Sequence, residues 1–254
     1  MRHTVRRSAA EVQSYYDEFS LHYEDARGDH DPGGYHSLVD DLEVEFASRY
    51  GAGGDVLEVG CGTGLVLARV AKVARTAKGI DLSPGMLAKA KERGLDVQVG
   101  SATELPFPDR SFDLTYSFKV LAHVPDIDRA LSEMTRVTRP DGIVLAEFYN
   151  PWSLRALVKR LGPAGAISAS TNEDAVFTRF DSPRKVRERV PSGWQIIASR
   201  GVRIVTPVAA AMHIPIVRSL LRAGEWILAD SPLSIFGGFW IAALARRPIA
   251  KDST

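Results

Sequence analysis

Three glycines at alternate positions, Gly60, Gly62 and Gly64, follow the apolar run DVLEV (Asp55 to Val59), and an acid, Asp81, stands further along the chain. A glycine loop at the carboxyl end of a buried strand lets a ligand approach the backbone where a Cβ would block it. An acid about 20 residues past the first glycine, at the end of the next strand, accepts hydrogen bonds from ribose hydroxyls. The pair therefore suits a ligand that carries a nucleoside. A nicotinamide dinucleotide, a nucleotide phosphate and S-adenosylmethionine all meet that description.

Spacing separates the three. A dinucleotide loop places glycine first, third and sixth, whereas here the fifth position is Gly64 and the sixth is Leu65. A phosphate-binding loop ends in Gly-Lys-Ser/Thr, which does not follow. Asp81 serves any adenosyl ligand and does not by itself name the reaction.

The surrounding pattern states what must hold these residues. Apolar runs of strand length alternate with stretches of helical spacing, which predicts an α/β fold with right-handed crossovers and a mostly parallel sheet. Strands are expected at DVLEV, at the run closing on Ile80 and Asp81, at LDVQVG, at SFDLTYSF and, after a turn at PDG (Pro140 to Gly142), at IVLAEFY. Ser83 and Pro84 stand where a helix begins and Gly94 where it stops. WQIIASRGVRIVTP and FGGFWIAALARRP read as two late strands, and PWSLRALVKRL and FDSPRKVRERV as further helices. Between the late strands, Ile216, Val217, Leu220, Leu221, Ile227 and Leu228 fall on one helical face. That face is expected to cover the sheet or roof the pocket.

Composition narrows the function class. With 254 residues, 45% of them hydrophobic, the chain can bury one large core, and 32 basic against 31 acidic residues leave no global field to draw nucleic acid. The single cysteine, Cys61, forms no internal disulfide, in keeping with a reducing compartment. Apolar runs such as Phe236 to Ala245 fall short of the ~20 residues of a spanning helix. A soluble, cytoplasmic protein without stable membrane insertion is expected, and no spaced ligand cluster suggests a metal.

VLEVGCGTG, GIDLSPGML, GSATELPFPDRSFDLTYSF, LAHVPD and RVTRPDG occur in an order and at a spacing that resemble class I S-adenosylmethionine-dependent methyltransferases, in the group acting on quinones and small molecules. The resemblance runs from about Tyr15 to Tyr149. It implies a Rossmann-like sheet of seven strands with helices on both faces, an N-terminal helical lid (1–50), a cofactor-binding core (51–150) and C-terminal strands (151–254) with a helical insertion at about 207–235. All would form one domain. It also implies roles for individual residues. Glu58, Gly60, Cys61, Gly62 and Gly64 would receive the methionine portion of the donor, and Asp81 the ribose. Leu82 and Met86 would flank the adenine, and Ser101, Ala102 and Thr103 would read its edge. Ser117 and Phe118 would line the pocket near the methyl group, with Tyr16 closing over it. Relatives often carry an acid where this chain has Ser101. Cys61 itself is read as a small side chain packed under the glycines.

Methyl transfer from a sulfonium is an in-line displacement with an activated donor, so positioning and water exclusion supply much of the rate. An oxygen, nitrogen or carbon acceptor still has a proton to lose. His123, Tyr15, Tyr16, His36 and His213 are the candidate bases, with His123 and Tyr16 the two placed at the site. The expected acceptor is a small, partly apolar molecule. The alternative is a noncatalytic module that binds S-adenosylmethionine as a regulatory or interaction subunit.

Overall fold

The computed structural model describes residues 9–27, 33–154, 156 and 177–248. Most of the helix expected over PWSLRALVKRL lies outside them. Seven strands form one sheet: β1 (Asp55–Val59), β2 (Thr76–Asp81), β3 (Asp96–Val99), β4 (Phe112–Ser117), β5 (Thr138–Tyr149), β6 (Trp194–Val202) and β7 (Phe239–Arg246). Their order is β3-β2-β1-β4-β5-β7-β6, and β7 pairs antiparallel with both of its neighbours. The order reverses between β1 and β4, and the glycine loop leaves β1 at that switch point.

Helices cover both faces because the inner strands are apolar on both sides. On one face α3 (Tyr35–Gly51) places Leu38, Leu42 and Phe46 against Leu114, Tyr116 and Leu145. On the other, α6 (Ile127–Val137) packs Ile127, Leu131 and Met134 against Leu57, Val59 and Val144. The first fifty residues were expected to form a lid, but α3 is a core helix. What remains over the sheet's carboxyl edge is α1 (Ala9–Ser20) and α2 (Tyr23–Arg27).

Local chemistry fixes the elements that carry the site. α4 (Leu65–Val70) starts from Gly64 in the left-handed region, φ 83°, and α5 (Pro84–Glu92) starts from Ser83, whose side chain accepts from the Met86 N–H. Asp17 of α1 accepts from the Ser83 hydroxyl and from the Gly85 N–H, which docks α1 on the start of α5. The PDG turn proves to be a bulge inside β5. Thr138 pairs with Phe112 and Ile143 with Leu114, so the chain between them loops out of register.

The last two helices are α7 (Pro183–Arg189) and α8 (Pro215–Leu228), the latter inserted between β6 and β7 as expected. The expected face is split: Leu221 packs against the core, and the helix is held by its polar side chains. Glu225, fully buried, accepts the backbone N–H groups of Ile204, Val205 and Thr206. Arg218 reaches the Met212 carbonyl, and Arg222 reaches Asp41 and the Gly33 carbonyl. The polar side of α8 thus faces the protein, while Ile216, Leu220 and Ile227 face outward, 76, 69 and 75% exposed.

Candidate active site

One cavity of about 350 Å³ opens at the carboxyl edge of β1, β2 and β4. The expected residues Tyr16, Glu58, Gly60, Cys61, Gly62, Asp81, Leu82, Met86, Ser101, Ala102, Thr103, Phe118 and His123 all line it. Gly64 and Ser117 do not. A Cβ on Gly64 would lie 2.4 Å from Leu95, so this glycine serves the packing of α4. Ser117 is fully buried and donates to the Val59 carbonyl at 2.7 Å, back into the sheet. No residue from 207 to 235 lines the cavity, because the inserted helix is anchored on α3 and on the turn after β6.

The three glycines divide their work. Gly60 (φ 80°) has Val120 only 2.3 Å from where a Cβ would stand, so it is a packing position. Gly62 (φ 53°) has nothing within 4 Å of that point, and its bare Cα faces open space. Its N–H donates to Asp81 Oδ2 at 2.9 Å, while Oδ1 accepts from the Ser83 N–H at 2.9 Å. Burial pushes the Asp81 carboxyl up, and the N–H donors of Ser83, Gly62 and Leu82 oppose it.

Ser101 and Thr103 share a 2.8 Å hydroxyl contact, and the Ser101 hydroxyl also accepts from the Thr103 N–H. The side chain standing where relatives often have an acid is thus partly engaged in its own turn. Burial pushes the Tyr16 phenol well up, with Tyr15 and Asp81 adding to it. The Cys61 thiol is pushed up in the same way, by burial and then by Glu58, and stays protonated.

His123 occupies the other end. Its Nδ1 lies 2.9 Å from the Phe177 carbonyl, an acceptor only, so Nδ1 carries a proton. The Tyr149 hydroxyl stands 3.5 Å from Nε2. Phe118, Val120, Val124 and Pro125 make the cavity wall beside it apolar.

Two cationic side chains in the wall were missing from the expectations, Arg27 and Lys119. Lys119 follows β4 in the left-handed region, φ 62°, a conformation held for a non-glycine residue only by its surroundings. Its Nζ is 2.9 Å from Asp40 and 2.8 Å from Glu43, and its N–H donates to Glu147. Arg27 donates to Asp40 at 2.6 Å and to the Tyr23 hydroxyl at 3.0 Å. Burial works against an ionised Asp40, but Lys119 and Arg27 outweigh it and hold the carboxyl low. Burial pushes the Glu43 and Glu147 carboxyls up, and Lys119 opposes it at both. A lysine inside the apolar run SFKVLA, and acids inside LEVEF and LAEFY, were the signals in the sequence.

Residues 57–146 match the model of a methyltransferase domain. A demethylmenaquinone methyltransferase of Mycobacterium marinum is 34% identical over 171 residues, which cover 61% of this chain and 74% of that protein. The chain belongs to the class I S-adenosylmethionine-dependent methyltransferases. The enzyme of the same name from Corynebacterium glutamicum is 33% identical over 156 residues, 56% of this chain and 68% of that one. Among solved structures, DhpI in complex with SAH superposes with a TM-score of 0.60 at 22% identity, covering 98% of this chain and 100% of that one. S-adenosylmethionine is accordingly the methyl donor of this methyltransferase, which sets aside the noncatalytic module. No described helix of the methyltransferase is long and apolar enough to cross a membrane, and no group of metal-ligating side chains occurs among the described residues.

Proposed function

We propose that this methyltransferase acts on a small, planar, partly apolar molecule of the quinone class, bound in its reduced, hydroxyl-bearing form beside His123. The observation that carries the proposal is the imidazole of His123 in the lining of the cavity that also holds the glycine loop, its Nδ1 on the Phe177 carbonyl and its Nε2 toward the Tyr149 hydroxyl, beside the apolar side chains Phe118, Val120 and Val124. The names of the demethylmenaquinone methyltransferases to which it is similar support the acceptor class.

The donor fits the polar end on the chemistry of the side chains present. Asp81 accepts the ribose hydroxyls through lone pairs that Gly62 and Ser83 leave over. Leu82 and Met86 flank the adenine, with Ser101, Ala102 and Thr103 at its edge. Gly62 leaves room for the methionine portion, and Glu58 and Cys61 close the floor beneath it. Arg27 and Lys119 offer positive charge to its carboxylate, and Tyr16 covers the site from α1. S-adenosylmethionine supplies a methyl carbon bonded to cationic sulfur: the acceptor's electron pair makes the new bond, and the old bonding pair stays on sulfur, which leaves neutral. His123 Nε2 takes the proton that the acceptor gives up, and the apolar wall excludes the water that would compete. We also read residues 1–254 as one domain, since a single sheet takes strands from Asp55 to Arg246.

The test is S-adenosylhomocysteine release by the purified enzyme with a chemically reduced, short-chain demethylmenaquinone. Turnover is expected only with donor and acceptor together, and His123→Gln should lower kcat about 10²- to 10⁴-fold, as loss of a general base does. Full turnover by that variant would remove His123 from the mechanism. Failure with every quinol, alongside turnover of another acceptor, would remove the quinone class.

A further inference from the structure

The helix α8 carries an inverted amphipathic pattern: its charged residues are spent on the protein and its apolar stripe is exposed. The stripe is Ile216, Leu220, Ala223 and Ile227, at steps of four, three and four residues. That is the spacing of a two-helix seam. With Ile214 and Trp226 beside it, the stripe leaves on the order of 600 Å² of apolar surface open, against about 800 Å² per partner in a standard stable interface. That stands at the upper end of the apolar patches of about 300 to 600 Å² that monomers expose, patches that are often functional.

We infer that α8 is the dimerisation surface of this protein and that its partner is a second copy of the chain, packed antiparallel about a two-fold axis. The stripe complements itself in that arrangement. Running the two helices in opposite directions places Ile216 opposite Ile227 of the second copy and Leu220 opposite Ala223, large beside small at the centre. A membrane surface suits the helix less well. A helix lying on lipid flanks its apolar face with free basic side chains, whereas α8 has no lysine and its Arg218 and Arg222 are turned inward onto the Met212 carbonyl and Asp41.

Sedimentation velocity of the full chain over a range of concentrations tests the inference. A species of twice the 27.7 kDa chain mass is expected, and Leu220→Glu should raise its dissociation constant tenfold or more. Because Leu220 is exposed in one chain, that variant should keep the parent's circular dichroism spectrum and unfold cooperatively, its melting temperature lowered only by what dimerisation contributed. The double variant Leu220→Cys with Ala223→Cys should cross-link two chains on oxidation, since the native Cys61 is buried. A monomer at every concentration, or a dimer that Leu220→Glu leaves intact, overturns the inference. So does a monomer that floats with phosphatidylglycerol vesicles, which would assign the face to a membrane.

Discussion

The backbone N–H of Gly62 donates to Asp81 at 2.9 Å across the gap between β1 and β2, so the acid proposed for the ribose also holds the glycine loop in shape. The same carboxylate accepts from Ser83, at the start of α5. Ligand affinity and loop geometry are therefore coupled through one side chain.

Removing that carboxylate should weaken the donor more than one lost ribose contact would. A hydrogen bond to a charged acceptor contributes roughly 1.5 to 3 kcal/mol. Asp81→Ala should raise the dissociation constant of S-adenosylmethionine about tenfold to a hundredfold, with the loop tether pushing toward the upper end. Asp81→Asn keeps one acceptor oxygen and should fall between. Calorimetric titration reads both, and an unchanged affinity in Asp81→Ala would contradict the assignment.

Arg27 should discriminate between ligands that share the nucleoside. With Lys119 it is one of the two cationic side chains in the cavity wall, and 5′-methylthioadenosine lacks the carboxylate that such a cation would bind. Arg27→Gln is expected to weaken S-adenosylmethionine about tenfold or more while leaving 5′-methylthioadenosine unchanged. Asp40 keeps Lys119 as its partner in that variant, so the fold should hold. Equal loss for both ligands would mean that Arg27 only props up α2.

What could be read in the sequence was local. The glycine loop, the Ser83 and Pro84 helix start and the apolar strand runs each depend on residues within one turn or one strand, and the sheet followed from them. The orientation of α8 was not local. Its periodicity marked the apolar residues but not which of them meet the core: Leu221 does, and Ile216, Leu220 and Ile227 do not. That is decided by Glu225 meeting the 204–206 turn and by Arg222 meeting Asp41, 181 residues away. The cavity's charges were hidden for the same reason: Lys119, Asp40, Glu43 and Glu147 come from three separate elements, and only their meeting explains how each is tolerated in an apolar run. Gly64 and Ser117 belonged to the right motifs but point away from the cavity, since motif membership fixes the backbone path and not the direction of a side chain.

His36 should set an acid-sensitive limb of stability. It sits at the start of α3, edge-on to Tyr35, and burial, with Arg27 and Lys119 adding to it, lowers its pKa to about 4. An unfolded histidine titrates near ~6.5. Between those two values the unfolded chain binds a proton that the folded chain refuses, so the unfolded state holds more protons and stability rises with pH. Lowering the pH from neutrality to about 5 should therefore cost on the order of 1 kcal/mol through this one residue, after allowance for its partial exposure. The buried carboxylate Asp40, held low by its cations, keeps its contribution in that window and loses it only below the ordinary aspartate range, near ~4. The two effects can therefore be separated by pH. Thermal melts of the parent and of His36→Gln at neutral pH and near pH 5 provide the measurement. The parent should lose more melting temperature than the variant across that interval, and identical losses would show that His36 is protonated in the folded protein as readily as in the unfolded chain.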